Sequence, residues 1–358
     1  MRRLMLLAAP VAVVGALAGA GGHAAASTAI GTTSLWVSTT GSDSNPCTKA
    51  APCATIQYAV NQAPVGAYVH VEAGTYHQTA NITKPLTLEG AGASSTIVDG
   101  SSIDESALGY YAVIQVSNNT SGTNGVTNIY GLTVQGAYIT SAEASQYESP
   151  IDVAVYGDAQ AADTVNVHTV VLGPVQDNAD YYGVGFYTLG TAARVNFYNS
   201  TVTGNFQGAL LEGSSGPASV HGNQFTNLAT GDTTYPPEGV FVLSDVAGTS
   251  TANVSTNVFS GYAGDGVDAE AGYSGGNCGP PNPPCGGNVT LTANHNSFTL
   301  GAATGASAIY LIANSGNTMN ASVNYNTGTV VHPTEGITID SRGGVMHVTE
   351  HGNHITQS

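Results

Sequence analysis

Gly239-Val-Phe-Val belongs to a phrase that this chain states six times: Gly183-Val-Gly-Phe, Gly208-Ala-Leu-Leu, Gly239-Val-Phe-Val, Gly266-Val-Asp-Ala, Ala308-Ile-Tyr-Leu and Gly336-Ile-Thr-Ile. After a loop, each is followed by a second strand that closes on a polar turn and an apolar residue. Val195-Asn-Phe-Tyr-Asn-Ser-Thr-Val is the first, and residues 218–225, 252–259, 291–298, 321–327 and 348–355 follow it. Successive openings are 25, 31, 27, 42 and 28 residues apart, so each repeat is one supersecondary unit with loops of different length. A unit this small cannot bury its apolar side alone, whereas stacked units share one core. The repeat predicts an all-β, single-stranded parallel solenoid whose outer faces carry any active surface.

The 358 residues need no second core, because the repeat runs to the end of the chain. Arg2 and Arg3, the apolar residues 4–18 and the small residues 24–26 form a secretory signal pattern over residues 1–26. The apolar run is short and contains Pro10, which argues against a membrane span and for an extracellular, secreted protein. Residues 27–34 read as a flexible leader and residues 35–358 as the solenoid domain.

Two close cysteine pairs, Cys47 with Cys53 and Cys278 with Cys285, fit loop-stapling disulfides in an exported protein. A four-thiolate zinc site is the rival reading. It is disfavoured because neither pair has the two-residue gap of a zinc knuckle.

The formal charge is −17, and outside residues 1–26 the only Lys and Arg are Lys49, Lys84, Arg194 and Arg342. Nucleic acid is a poor partner for such a chain, since its affinity comes from neutralised phosphates. Polyanionic sugars meet the same objection, while neutral glycans and cations do not.

Ile56, Ala59, Val60 and Ala63 recur at helical spacing, which predicts one short helix over residues 54–63, placed to cap the N-terminal end of the stack. From Val69 onward the period is two. The loop at residues 272–287, rich in proline, stands off one face. Ser200, Asn223, Asn257, Asn296, Asn326 and Asn353 fall at one recurrent turn and predict a structural ladder of amides. The C-terminal strand ends without a polar cap, which predicts end-to-end association or a loop folded over the terminus.

Trp36-Val-Ser-Thr-Thr-Gly-Ser-Asp, Pro52-Cys-Ala-Thr-Ile-Gln-Tyr-Ala-Val, Val69-His-Val-Glu-Ala-Gly-Thr-Tyr and Leu86-Thr-Leu-Glu-Gly stand in succession. Together they resemble the opening of right-handed parallel β-helix proteins of the pectate lyase-like superfamily. The resemblance implies a right-handed parallel β-helix. It does not select a reaction, because that superfamily includes lyases, hydrolases, esterases, epimerases and non-catalytic surface proteins. The Thr-Ile-Gln and Gly-Thr-Tyr phrases are shared with pectin methylesterases, but no Asp-Phe-Ile-Phe-Gly phrase occurs, so their catalytic pair is not carried over. The Asn-Thr-Asp, Asp-Asp, Gly-His-Gly and Arg-x-Lys phrases of polygalacturonase-like hydrolases are missing as well.

On the opening strands, alternation points Val240, Val242, Val267, Ala269, Ile309, Leu311, Ile337 and Ile339 inward. One outward row then holds Gly185, Leu210, Phe241, Asp268, Tyr310 and Thr338, and the next Tyr187, Glu212, Leu243, Glu270, Ile312 and Asp340, with Asp245 one pleat beyond Leu243. Asp268 and Glu270 have Cα atoms about 6.6 Å apart on one strand, and two coils separate Glu270 from Glu212 or Asp340 by about 9.5 Å. These spacings overlap those of inverting glycosidases, so Asp268, Glu270, Asp245, Glu212 and Asp340 are the candidate catalytic carboxylates. Crowded carboxylates repel unless one takes a proton or a cation intervenes, so a calcium site at Asp268 and Glu270 is the alternative. Tyr187, Phe241 and Tyr310 are candidates for stacking on sugar rings, and Arg342 for an anionic group.

The leading expectation is a secreted β-helix that acts on or binds extracellular polysaccharide, with a glycoside hydrolase favoured because acids are plentiful and bases scarce. A non-catalytic adhesion solenoid and a calcium-dependent lyase are the alternatives.

Overall fold

The computed structural model describes residues 33–101, 103, 112–117, 125–137, 150–156, 163–175, 183–228, 236–244, 248–272 and 286–358. Within them the chain winds into a right-handed parallel β-helix of three sheets with eleven, nine and ten strands, all paired in parallel. One coil contributes one strand to each sheet. Asp265–Ala271 lies in the nine-stranded sheet, Asn288–Asn294 in the eleven-stranded sheet and Ser297–Leu300 in the ten-stranded sheet.

Each closing strand expected from the sequence is two strands. A residue in the left-handed region breaks it, at Asn199, Gly222, Thr256, His295, Tyr325 and Gly352 in successive coils, and the polar residue after the break turns into the coil. Asn257 shows why the position is polar. Its Oδ1 accepts the backbone N–H of Asn223 at 3.0 Å, and its Nδ2 donates to the Val220 carbonyl at 2.9 Å, so a corner without ladder partners keeps its backbone groups satisfied. The same links join Ser200, Asn223, Asn257, Asn296, Asn326 and Asn353, which form the expected ladder.

The core explains the leading glycines. Phe225, Phe259 and Phe298 stack inside the coil with centroids 5.0 Å apart. A Cβ on Gly208, Gly239 or Gly266 would run into those rings in turn. Aligning on Gly183 misplaces the first strand, because the glycine level with Gly208 is Gly185, which faces inward against Val202. Tyr187 therefore stands in the row of Leu210 rather than that of Glu212.

Ile56–Gln62 is the helix, shorter than expected at both ends, with Thr55 as its N-cap. Asp43 fixes the cap by accepting the N–H groups of Ala54 and Thr55, both at 2.9 Å. Ile56, Ala59 and Val60 are buried against the first strands, closing the N-terminal end. Cys47 and Cys53 form a disulfide beside it, and Cys278 and Cys285 lie outside the described residues. At the other end the last coil lies open. Ile339 points inward by register with Leu311 yet is 44 % exposed, and Ile337, Met346, Val348 and Ile355 are only partly buried.

Candidate functional site

The outer side of the nine-stranded sheet carries the expected residues in register. Leu210, Phe241, Asp268, Tyr310 and Thr338 are successive partners in one row, as are Glu212, Leu243, Glu270, Ile312 and Asp340 in the next. Asp245 lies outside the described residues.

The face differs from expectation in its cover, since alternation tells which side of a sheet a residue faces but not whether that side meets water. Tyr187 and Glu270 are 0 % exposed, Asp268 4 %, Glu212 5 % and Phe241 7 %. Tyr156, Tyr187, Leu210, Phe241 and Leu243 belong to a second apolar cluster outside the solenoid core. Tyr187 and Phe241 therefore present no open ring face for a sugar.

Toward the C-terminal end this cluster gives way to carboxyl groups. Tyr187 donates its hydroxyl to Glu212 Oε2 at 2.6 Å, and Asn314 Nδ2 donates to Glu270 Oε1 at 2.7 Å. Asp268 Oδ1 is buried with no hydrogen-bond partner. Burial pushes the Asp268 carboxyl well above the usual carboxylate range, and the nearby Glu238, Asp265 and Glu270 push it further, with Arg342 as the opposing influence.

Glu238 and Asp265 were not singled out from the sequence. They face each other across adjacent strands, immediately before the repeat glycines Gly239 and Gly266, so carrying the alignment one residue further back would have found them. Gln207, at the equivalent place one coil earlier, donates to Glu238 Oε2 at 2.6 Å, and the Ser307 N–H donates to Asp265 Oδ1 at 2.6 Å. Burial, with the neighbouring acids adding to it, raises Glu238 to about 8, and burial raises Asp265 to about 7. A fourth such group, Asp152, lies level with Gly185, fully buried and bonded to Asn205 Nδ2 at 2.9 Å. Burial raises it to about 8.

Asp340, Arg342 and Tyr310 form the open rim. Arg342 Nε donates to Asp340 Oδ2 at 2.7 Å, Arg342 Nη2 donates to the Tyr310 hydroxyl at 3.0 Å, and that hydroxyl donates to Asp340 Oδ2 at 3.3 Å. The sheet thus carries an enclosed carboxyl whose pKa burial raises and, two coils and two residues further on at its edge, a cation-paired carboxylate. Among the described residues no group of three or more His, Cys, Asp or Glu converges as a metal site, and no helix is long and apolar enough to cross a membrane.

No protein family model and no curated protein matches the chain. Solved structures with a similar course include a pectin methylesterase from carrot, 12 % identical over 92 % of this chain and 85 % of that one, with a TM-score of 0.44. Another is Escherichia coli YbhC, 12 % identical over 78 % of this chain and 75 % of that one, TM-score 0.49. A third is the GH136 lacto-N-biosidase from Eubacterium ramulus, 11 % identical over 90 % of this chain and 68 % of that one, TM-score 0.38. At such identities the likeness is one of architecture and transfers no residue.

Proposed function

We propose that this chain is an exported β-helix that hydrolyses a polysaccharide on the outer side of its nine-stranded sheet. Asp268 acts as the proton donor and Asp340, paired with Arg342, as the carboxylate that activates water. In that reaction the water oxygen bonds to the anomeric carbon and gives a proton to Asp340. The glycosidic C–O bond breaks, and the departing oxygen takes the Asp268 proton. The observation that carries this reading is the Asp268 carboxyl itself: enclosed, with Oδ1 unpartnered, and hemmed by Glu238, Asp265 and Glu270, all of which favour its protonated form.

One observation favours a second reading, a non-catalytic solenoid. Asp268 and Glu270 are 4 % and 0 % exposed, so a substrate must enter from the Tyr310–Asp340–Arg342 rim and displace cover to reach them. Reducing-end release from a panel of polysaccharides separates the two. Hydrolysis predicts turnover that Asp268→Asn removes while the melting temperature is kept. Full turnover in Asp268→Asn would remove Asp268 from the reaction, and no turnover by the parent on any polymer would leave the non-catalytic reading.

A further inference from the structure

The outer side of the eleven-stranded sheet has a different chemistry. Tyr130, His168, Tyr198 and His221 are successive register partners in one half-buried column. Their rings stack on one another with centroids 4.9, 4.7 and 5.0 Å apart and planes 13°, 16° and 5° from parallel. Two residues earlier on each strand, Asn128, Asn166 and Asn196 form a parallel column joined by side-chain amide bonds of 2.9 and 2.8 Å. Arg194 stands exposed two residues before Asn196, on the same side.

Two consequences follow from elementary geometry and charge. Because each ring covers the faces of its neighbours, the column offers only edges to a ligand: phenol hydroxyls and imidazole nitrogens. It is suited to hydrogen bonding along a line rather than to stacking on sugar rings. The Tyr–His alternation repeats every two coils, about 9.6 Å, on the scale of a disaccharide unit in an extended polymer.

The second consequence concerns sign. Glu89, the register partner of Tyr130 on the preceding strand, is hydrogen-bonded to that tyrosine and ion-paired with His70, and from the strand Val126–Tyr130 to the strand Val345–His351 the outward positions of this sheet hold no Asp or Glu, in a chain that has 23 of them. Several of those acids are instead enclosed on or behind the nine-stranded sheet, where burial raises their pKa values. The formal −17 therefore overstates the repulsion an anion meets here, and charges more than a Debye length away are screened at physiological salt.

We propose that this face is a binding track for an extended acidic polysaccharide lying along the solenoid axis. Arg194 pairs with a carboxylate of the polymer, and the Tyr–His column hydrogen-bonds its oxygens. The groups facing the imidazoles are uncharged. His168 lies between Tyr130 and Tyr198 with the Thr169 hydroxyl 3.2 Å from Nδ1, and His221 lies against Tyr198 with the Ser219 hydroxyl 3.1 Å from Nδ1. Burial lowers the pKa of His168, which favours the neutral imidazole as the form that hydrogen-bonds the ligand. The track lies on a different sheet from the carboxyl cluster, so it stands whether or not the chain is a hydrolase.

Affinity electrophoresis of the full chain tests it, with polygalacturonate and alginate as acidic probes and dextran as the neutral one. The parent is expected to be retarded by both acidic polymers and not by dextran, and less strongly as salt is raised. Arg194→Ala, and His168→Gln combined with His221→Gln, should each weaken Kd about fivefold or more, while Asp268→Asn changes nothing. Tyr198→Phe keeps the ring column and removes one hydroxyl, so it reports a smaller loss even if the histidine pair variant folds poorly. Absence of retardation by either acidic polymer overturns the proposal. So does retardation unchanged in Arg194→Ala and Tyr198→Phe, or equal retardation by polyglutamate, which would mark a general polyanion surface.

Discussion

The nine-stranded and eleven-stranded sheets are wound from the same coils and obey the same alternation, yet their outer sides have opposite character. On the first, Asp268, Glu270 and Glu212 sit under cover among Tyr187, Phe241 and Leu243. On the second, Tyr130, His168, Tyr198 and His221 stand half in water, with Glu89 beside Tyr130 at one end as the acid that borders them. The corner after Arg194–Tyr198 passes through Asn199 and Ser200 into Thr201–Thr203, too short to cover the open face. On the enclosed face charge is costly, and burial raises the pKa of its carboxyl groups.

The largest expected effect tests the enclosure. Asp152 and Glu238 at about 8, Asp265 at about 7 and Asp268 well above its ordinary value all bind a proton more tightly in the folded chain than in the unfolded one. Their contribution to stability is complete below the unfolded carboxylate range and is lost as pH rises through the folded values. The melting temperature should therefore fall as pH rises from about 4, most steeply between about 5 and 7, and level off above about 8. Asp152→Asn should flatten that slope. A melting temperature that climbs over this range would break the contrast between the two faces.

Next in size is the difference between two amide ladders. Asn257 is 1 % exposed and serves two backbone partners, so Asn257→Ala should cost about 1–3 kcal/mol in urea unfolding. Asn166, half-buried on the open face, should cost less than about 1 kcal/mol when replaced by Ala. Equal losses would mean that the outer column is as structural as the inner one. At the rim, Arg342→Ala should change stability by less than about 1 kcal/mol, since its ion pair with Asp340 is exposed to solvent. It should nevertheless raise the Asp268 pKa further, by removing the one influence that lowers it. The smallest effect concerns the open last coil, whose exposed Ile339 and Val345 predict weak, concentration-dependent end-to-end association that Ile339→Lys reduces in sedimentation experiments.

The fold was legible because its rule is local: a glycine under an interior phenylalanine, then an asparagine at a left-handed corner, repeated at variable intervals. From Leu210 onward both rows of the nine-stranded sheet could be aligned, and they failed at the first strand only because Gly183 and Gly185 compete for the same position. The environment of the site was much less legible. Tyr187 and Phe241 look like exposed sugar platforms when only alternation is known, since burial depends on chain that returns from elsewhere. Asp152 gave no sign at all, because it occupies an inward position that the preceding coil gives to Val113 and the later coils give to glycine or alanine. The Tyr–His column was visible only as scattered residues, because its register depends on loops whose lengths differ in every coil.

The central claim is that the carboxyl groups of the nine-stranded sheet and its interior hold protons at neutral pH. A titration of side-chain carboxyl carbons by NMR, on protein labelled at Asp and Glu, tests it most directly. The account predicts that at about pH 6 at least four resonances still have protonated shifts, and that one is lost in each of Asp152→Asn, Glu238→Gln, Asp265→Asn and Asp268→Asn. If every carboxyl has titrated by about pH 5.5, the enclosed acids are ordinary solvated carboxylates, and the proton-donor role of Asp268 falls with them.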